Sequence, residues 1–496
     1  MSKVISRRFF LSALTATAAT PLWANPPTAS LHPVPRPAGL GKVTAAAAES
    51  LIRDSKVSGQ VSFAVADIDT GKLLEGQDVA TGLPPASVTK ALTALYALHY
   101  LGPNHRFATR LLAVGTVTNG VLKGDLVLRG GGDPTLDTNA LAGLAKSLKE
   151  AGIREVTGRF LVWGGAMPQL KQIDKKQPVE AGYNPSVSGL SLNYNRVHFE
   201  WKRASTGYQI TMDARSNKYR PDVSVAKMSI AERQAPVYTY KEQRGIDHWT
   251  VARGALGNGG ARWLPVRQPE IYAGEVFRSL ARSYGVQMAA PKITQSAPRG
   301  TVVASHQSAE LVPILQGMLK YSTNLTAEMV GIAASQARGA QVLSLKASAA
   351  AMNAWAAETM GMTQAALVDH SGLGEASRLR ADELAVVLAA AARRDTLKPI
   401  LRDISMRADN GAVDKSHPLT VQAKTGTLHF VSGLAGYVTD TAGHELAFAI
   451  FVADTDARDR LIGPSRERPA GARTWNSRAK RLQQKLIERW SVVYGS

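Results

Sequence analysis

The stretch Leu83-Pro84-Pro85-Ala86-Ser87-Val88-Thr89-Lys90 leads into an apolar run, Val88 through Leu101, that Gly102-Pro103 ends. Proline before and Gly-Pro after are helix start and stop signals. The run therefore reads as a buried helix. Ser87 stands in its first turn, and Lys90 lies one turn on and on the same side. Burial strips hydration from the charged form of a lysine and lowers its pKa, so that the amine can take a proton from a neighbouring hydroxyl.

A Ser-x-x-Lys pair alone is weak evidence, because it also describes any solvated helix face. It recurs at Ser224–Lys227 and Ser477–Lys480, and Ser-x-Asn recurs at Ser191–Asn193. Context separates these copies. Ser224 lies in a mixed stretch with no helical stripe, and Ser477 in a strongly basic helix near the C-terminus. After Ser87, by contrast, Ser322-Thr-Asn324 and Lys424-Thr-Gly-Thr427 follow in order. The set supplies a nucleophile, an adjacent amine, a polar relay and a second cation. That equips a serine acyl-transfer enzyme which uses lysine where others use histidine. The candidate catalytic residues are Ser87, Lys90, Ser322 and Lys424.

Working outward, Gln60 to Asp67 alternates, with Val61, Phe63 and Val65 on one face; the turn Asp69-Thr-Gly-Lys72 and Leu73-Leu74 make it a hairpin. A second hairpin is expected from Leu434–Val438 and Leu446–Val452, after a strand leading into Lys424. Helices are expected over Ala45–Ile52, Leu141–Ala151, Ile271–Tyr284, Ala309–Lys320, Thr326–Ala337, Ser344–Met360, Ala381–Arg393 and Arg473–Tyr494. Strands are expected over Leu122–Leu128, Ile153–Trp163, Leu190–Trp201 and Tyr208–Met212, while 213–248 carries only weak signals. Gly130-Gly-Gly-Asp-Pro134 reads as a turn, since no Lys-Ser/Thr follows to make a phosphate loop.

Hairpins near both ends, with helices between, point to an α+β fold in which both ends share one antiparallel sheet. The stretch from Ser87 to Ser322 is far longer than a loop needs and implies one or two small inserted β-rich domains. The expected plan is a catalytic domain over 42–110 and 291–496 with the insertion at 111–290.

The chain has 496 residues, enough for two or three domains, and no cysteine. Disulfides, thiolate catalysis and cysteine metal sites are excluded together. Ser6-Arg7-Arg8-Phe9-Phe10-Leu11 is a twin-arginine pattern before an apolar stretch, so 1–24 reads as an export signal and the protein as periplasmic; 25–41, with five prolines, reads as an extended leader. A Sec signal with a chance Arg pair is the alternative. The formal net charge is +20. An exported protein rarely meets nucleic acid, and no aromatic interleaving suggests base stacking, so an anionic envelope surface is the better partner. The basic stretch Arg466–Arg489 also fits a plain solvated helix face.

Taken together, Pro85-Ala-Ser-Val-Thr-Lys90, Leu128-Arg-Gly-Gly-Gly-Asp-Pro-Thr135, Val187-Ser-Gly-Leu-Ser-Leu-Asn-Tyr-Asn195, Ser322-Thr-Asn-Leu-Thr-Ala-Glu328, Asp369-His-Ser-Gly-Leu373 and Ala423-Lys-Thr-Gly-Thr427 resemble a known family over nearly all the chain. It is the D-alanyl-D-alanine carboxypeptidases and endopeptidases of serine peptidase family S13, the penicillin-binding protein 4 type. The resemblance implies a β-lactamase/transpeptidase-like domain, an antiparallel sheet flanked by helices, with the large insert as the family's hallmark. It implies peptidoglycan stem peptides as substrates and β-lactam antibiotics as covalent inhibitors, with no metal or organic cofactor. Asn324 is expected to hold the substrate amide, Lys424, Thr425 and Thr427 to receive the terminal carboxylate, with Gly426 beside them, and the N–H groups of Ser87 and Thr427 to form the oxyanion hole. Ser191–Asn193 falls in the insert, which favours Ser322 as the relay serine.

Two departures stand out. His370 replaces the family's glycine, and Gly374-Glu-Ala-Ser-Arg378 delays the arginine expected to hold the substrate peptide, leaving Arg378 as its candidate. Val162-Trp-Gly-Gly165 lacks the acid that the family uses for the substrate side-chain amine. Rival readings are a β-lactamase or esterase, which the insert length opposes, and a non-catalytic envelope scaffold that binds glycans.

Overall fold

The computed structural model describes residues 45–408, 410–461 and 469–495. The expected signal and leader lie outside these residues. Both chain ends meet in one six-stranded sheet, ordered Arg402–Asp403, Thr420–Leu428, Val431–Thr439, Glu445–Ala453, Gln60–Asp67, Leu73–Gln77. Every pairing in it is antiparallel. The ends are joined by Gln60–Asp67 against Glu445–Ala453, with Phe63 opposite Ile450 and Val65 opposite Phe448.

Both faces of this sheet are covered, which is why its central strands are apolar throughout rather than alternating. One face is built of small residues, Ala64, Ala66, Ala435, Ala447 and Ala449, with Tyr437 and Phe451. Their small size lets the buried helices Thr89–Leu101 and Ala381–Ala392 join the same core. The other face carries Phe63, Val65, Phe448, Ile450 and Val452 and is closed by Trp475, Leu482, Leu486 and Trp490 of the last helix, Ala472–Tyr494. That helix turns Arg473, Arg478, Lys480 and Arg481 to solvent, while Arg489 is bound to Glu75 and the Ala46 carbonyl.

The insertion has its own core. Its main sheet runs Pro291–Ile293, Phe160–Trp163, Val121–Arg129, Ala108–Thr118, Thr301–Gln307, with Glu155–Val156 beside Val121–Arg129. Helices Thr138–Glu150 and Pro269–Ser283 contribute to its core. Two three-stranded sheets complete it: Gly259–Pro265, Arg196–Arg203, Tyr208–Asp213, and Tyr238–Gln243, Ile246–Ala252, Ala226–Ala231.

The insertion is wider than 111–290. Thr301–Gln307 pairs antiparallel with Ala108–Thr118, so the chain leaves where it entered. At this neck the Ser308 backbone N–H donates to the Phe107 carbonyl and the Phe107 N–H to Ser308 Oγ, and Arg106 pairs with Glu310 at 2.9 Å. Two expected strands are shorter than their apolar runs. Ile153–Trp163 is interrupted because the Asp125 carboxylate takes the Arg159 backbone N–H at 2.7 Å and its guanidinium as well. Leu190–Trp201 becomes strand only at Arg196, after a left-handed turn at Asn193–Asn195. The weak stretch 213–248 holds strands Ala226–Ala231 and Tyr238–Gln243, whose partners rather than local pattern define them. Among the described residues no helix is long and apolar enough to cross a membrane.

Candidate active site

Ser87 sits in a short 3-10 turn, Ala86–Val88, that feeds directly into helix Thr89–Leu101. Lys90 is fully buried in that helix. Its Nζ donates to Ser87 Oγ at 2.9 Å, to Asn324 Oδ1 at 2.7 Å and to the Ser371 carbonyl at 2.7 Å. Three acceptors match the three N–H bonds of an ammonium. A neutral amine has two, which leaves its lone pair for the Ser87 hydroxyl. Burial pulls the Lys90 amine down to about 7, against the opposing pull of Glu328 and Asp369. The lysine is therefore poised between the two forms near neutral pH.

Glu328 and Asp369 are the buried acids behind this amine. Glu328 is four residues after Asn324 on helix Asn324–Ala337, so both face the same way. Its two oxygens take the backbone N–H of His370 at 3.0 Å and of Ser371 at 2.9 Å. Asp369 takes the N–H of Gly372 at 2.7 Å and of Gly374 at 2.6 Å. Burial pushes both carboxyls up, while the N–H donors favour the ionised form. Together they hold loop 369–374 so that the Ser371 carbonyl reaches Lys90.

His370, which departs from the expected glycine, is fully buried and neutral; burial lowers it to about 3. Its Nε2 meets Ser348 Oγ at 2.7 Å, and its ring stacks on Tyr96. It lies directly over Gly331, where a Cβ would fall 2.1 Å from the ring. Gly331 on the facing helix leaves the room that the His370 ring fills.

Ser322 ends helix Leu311–Tyr321 in the left-handed region, φ 57°. A non-glycine residue there costs about 1–2 kcal/mol. The conformation accompanies a contact with Lys424, whose Nζ donates to Ser322 Oγ at 3.1 Å. Lys424 is buried, and burial together with the Lys90 and Arg402 charges holds its amine well below the usual lysine value. Asn324, the first residue of its helix, bridges Lys90 and the insertion: its Nδ2 donates to the Tyr183 carbonyl at 2.8 Å.

Thr425 and Thr427 lie two apart on strand Thr420–Leu428 and so share a face. Arg402–Asp403 pairs with Ala423 and Gln422, and among the described residues no strand pairs with this one beyond Ala423 on that edge. Gly426, between the two threonines, is packed close to the nucleophile turn. A Cβ there would stand 2.6 Å from the Pro85 carbonyl and 3.1 Å from Ser87 N, so its absence lets the strand lie against the nucleophile turn.

Ser87, Ser322, Asn324 and Thr427 open on a cleft of about 540 Å³ that Tyr183 and Glu375 also line. Glu375 joins Lys176 of the insertion at 3.0 Å and Arg458 at 3.3 Å. Arg378 spends its guanidinium on the Glu375 and Ser377 carbonyls and does not line the cleft. Arg402 lies 3.4 Å from Thr425 Oγ1. The competing motifs are structural. Ser224 is exposed and bonded to Glu275, Ser477 bonds back to Arg473, and Ser191 braces a turn through Ser188 and Asn195. Among the described residues no cluster of His, Asp and Glu could hold a metal ion.

A serine beside a buried, near-neutral lysine, on the first turn of a helix packed against an antiparallel sheet, defines a serine acyl-transfer enzyme. The comparisons narrow that class. The chain belongs to the D-Ala-D-Ala carboxypeptidase 3 (S13) family, whose model matches residues 44–465. It is 27% identical over 441 residues to a D-alanyl-D-alanine carboxypeptidase of Actinomadura sp. (strain R39), covering 81% of this chain and 79% of that protein. It is 24% identical over 412 residues to the D-alanyl-D-alanine carboxypeptidase DacB of Haemophilus influenzae, covering 79% and 85%. The fold matches the crystal structure of penicillin binding protein 4 from the same organism with a TM-score of 0.72 at 20% identity, over 89% of this chain and 99% of that one.

Proposed function

We propose that this protein is a serine D,D-peptidase of the cell envelope. It cleaves the D-Ala-D-Ala bond of peptidoglycan stem peptides, D-Ala-diaminopimelate crosslinks, or both, through an acyl-enzyme on Ser87. The observation that carries this is the 2.9 Å approach of Lys90 Nζ to Ser87 Oγ, with the amine buried and lowered to about 7. Lys90 in its neutral form takes the Ser87 proton as the oxygen attacks the scissile carbonyl. The N–H groups of Ser87 and Thr427 receive the oxyanion; each such donor typically contributes about 2.7–4 kcal/mol to the transition state. Ser322, held by Lys424, relays to the leaving amine the proton that Lys90 took from Ser87, which returns Lys90 to its neutral form. Asn324 orients the substrate amide, and Thr425, Thr427 and Lys424, with Arg402 beside them, receive the terminal carboxylate. Water then releases the acyl group.

A penicillin acylates Ser87 by the same route and leaves slowly. Export through the twin-arginine pattern at 1–24 and attraction of the basic surface to anionic envelope polymers belong to the same reading.

The test is mass spectrometry after brief exposure to a penicillin, with the modified peptide sequenced. One adduct on Ser87 is expected, and Ser87→Ala should lose both labelling and D-Ala release. D-Ala release that survives in Ser87→Ala, with the adduct on Ser224, would overturn the assignment. Rapid turnover of a chromogenic cephalosporin would favour a β-lactamase.

A further inference from the structure

A second cavity, about 470 Å³, lies in the insertion and shares no lining residue with the cleft at Ser87. On its wall is Arg196, whose guanidinium stands 5.2 Å from the Tyr194 ring and 5.8 Å from the Trp263 ring. Its Nε is buried without a hydrogen-bond partner. That atom is closed off from the cavity, so an incoming anion would meet the outer edge of the guanidinium.

The other charged groups on the wall are already committed. Arg215 is bound to Asp213 and Glu200. Asp137 caps a helix through the Ala140 N–H and takes a second bond from Asn139. Arg196 is thus the group in this cavity that an incoming anion would meet. Around it are neutral polar side chains, Asn139, Ser216, Asn217 and Thr135, suited to hydroxyl and amide groups.

The backbone is strained beside this cavity. Asn193, Tyr194 and Asn195 take three successive positive φ values, 50°, 58° and 52°. Left-handed runs of non-glycine residues persist only when their surroundings over-determine them. Here Asn195 binds the Leu192 N–H, the Ser186 carbonyl and Ser191, and Asn193 binds Thr138 and Tyr272. The turn presents Tyr194 to Arg196, while Val187 and Tyr194 of the same motif also join the apolar cluster of Leu325 and Met329 on the helix that carries Asn324.

We infer that this cavity is a second binding site, for a muramic acid unit of glycan that carries no stem peptide, so that its lactyl carboxylate is free, with Arg196 receiving that carboxylate beside two aromatic rings. The choice of a wall sugar rests on the D,D-peptidase reading; the carboxylate preference rests on Arg196 alone.

The probe is N-acetylmuramic acid, titrated into the full chain by calorimetry and compared with N-acetylglucosamine, which lacks the carboxylate. Saturable binding of the first is expected, with the second about tenfold weaker. Arg196→Gln should weaken the first by a similar factor. Asn217→Asp places a like charge at the exposed rim, spares the packed rings, and should weaken it several-fold. Prior acylation by penicillin should leave binding unchanged, which places the sugar outside the cleft and keeps this result separate from the fate of Ser87. Absence of saturation, equal binding of the two sugars, indifference to both variants, or loss of binding on acylation would each overturn the inference.

Discussion

At the scale of single residues, Lys90 is set by opposing forces. Burial lowers its pKa, and the charges of Glu328 and Asp369 raise it. A general base works only when deprotonated, so the rate of penicillin acylation should rise with pH through about 7 and then level off. Removing the charge in Glu328→Gln should move that inflection to lower pH by about one unit, because a raising influence is gone. A stopped-flow pH profile of both proteins checks this; an unchanged inflection would mean that Glu328 is neutral when Lys90 titrates. The same variant leaves an amide facing one of two backbone N–H donors, and should cost about 1–3 kcal/mol of stability. Glu328 is partly legible in sequence, through its four-residue spacing from Asn324. Tyr183 is not: its carbonyl reaches Asn324 from 141 positions away, and no local pattern announces a backbone contact.

At the scale of elements, two glycines set how closely neighbours approach. Gly426 allows strand Thr420–Leu428 to lie on the Pro85–Ser87 turn. Gly426→Ala should therefore keep the fold and slow acylation, by about tenfold or more, since misplacing a reacting group by a fraction of an ångström is costly. Acylation kinetics beside a thermal melt would separate the two effects. Gly331 and His370 form a complementary pair between helix Asn324–Ala337 and loop 369–374. Gly331→Ala alone should destabilise by about 1–3 kcal/mol through overpacking, and His370→Gly alone by a similar or larger amount through the cavity it opens. The double variant should lose less than the sum, as a denaturant double-mutant cycle would show; strict additivity would count against the pairing. The sequence marks His370 as unusual, but its counterpart on another element emerges only from packing.

At the scale of the whole molecule, the domain closes only when its ends meet. Gln60–Asp67 needs Glu445–Ala453 as a partner, and the face they share needs helix Ala472–Tyr494. Trp490 packs against Phe63 from one end and Phe448 from the other, with ring centroids 5.6 and 5.9 Å apart. Trp490→Ala should cost about 3–5 kcal/mol in denaturant unfolding. Penicillin labelling of the remaining folded fraction should be unchanged, because the helix covers the sheet face opposite the Ser87 helix. Normal stability in this variant would show that the last helix is not part of the cooperative unit.

The sequence by itself determined the α+β class, the two hairpins, most helices and the order of the three motifs. Those features depend on local periodicity, capping and turn chemistry, which neighbouring residues report. Tertiary structure alone decided where the insertion joins, because Thr301–Gln307 is a strand only beside Ala108–Thr118. It decided that Arg378 serves its own loop while Arg402 reaches Thr425. It also decided the state of Lys90, since a pKa depends on burial and on charges that the fold brings from Glu328 and Asp369.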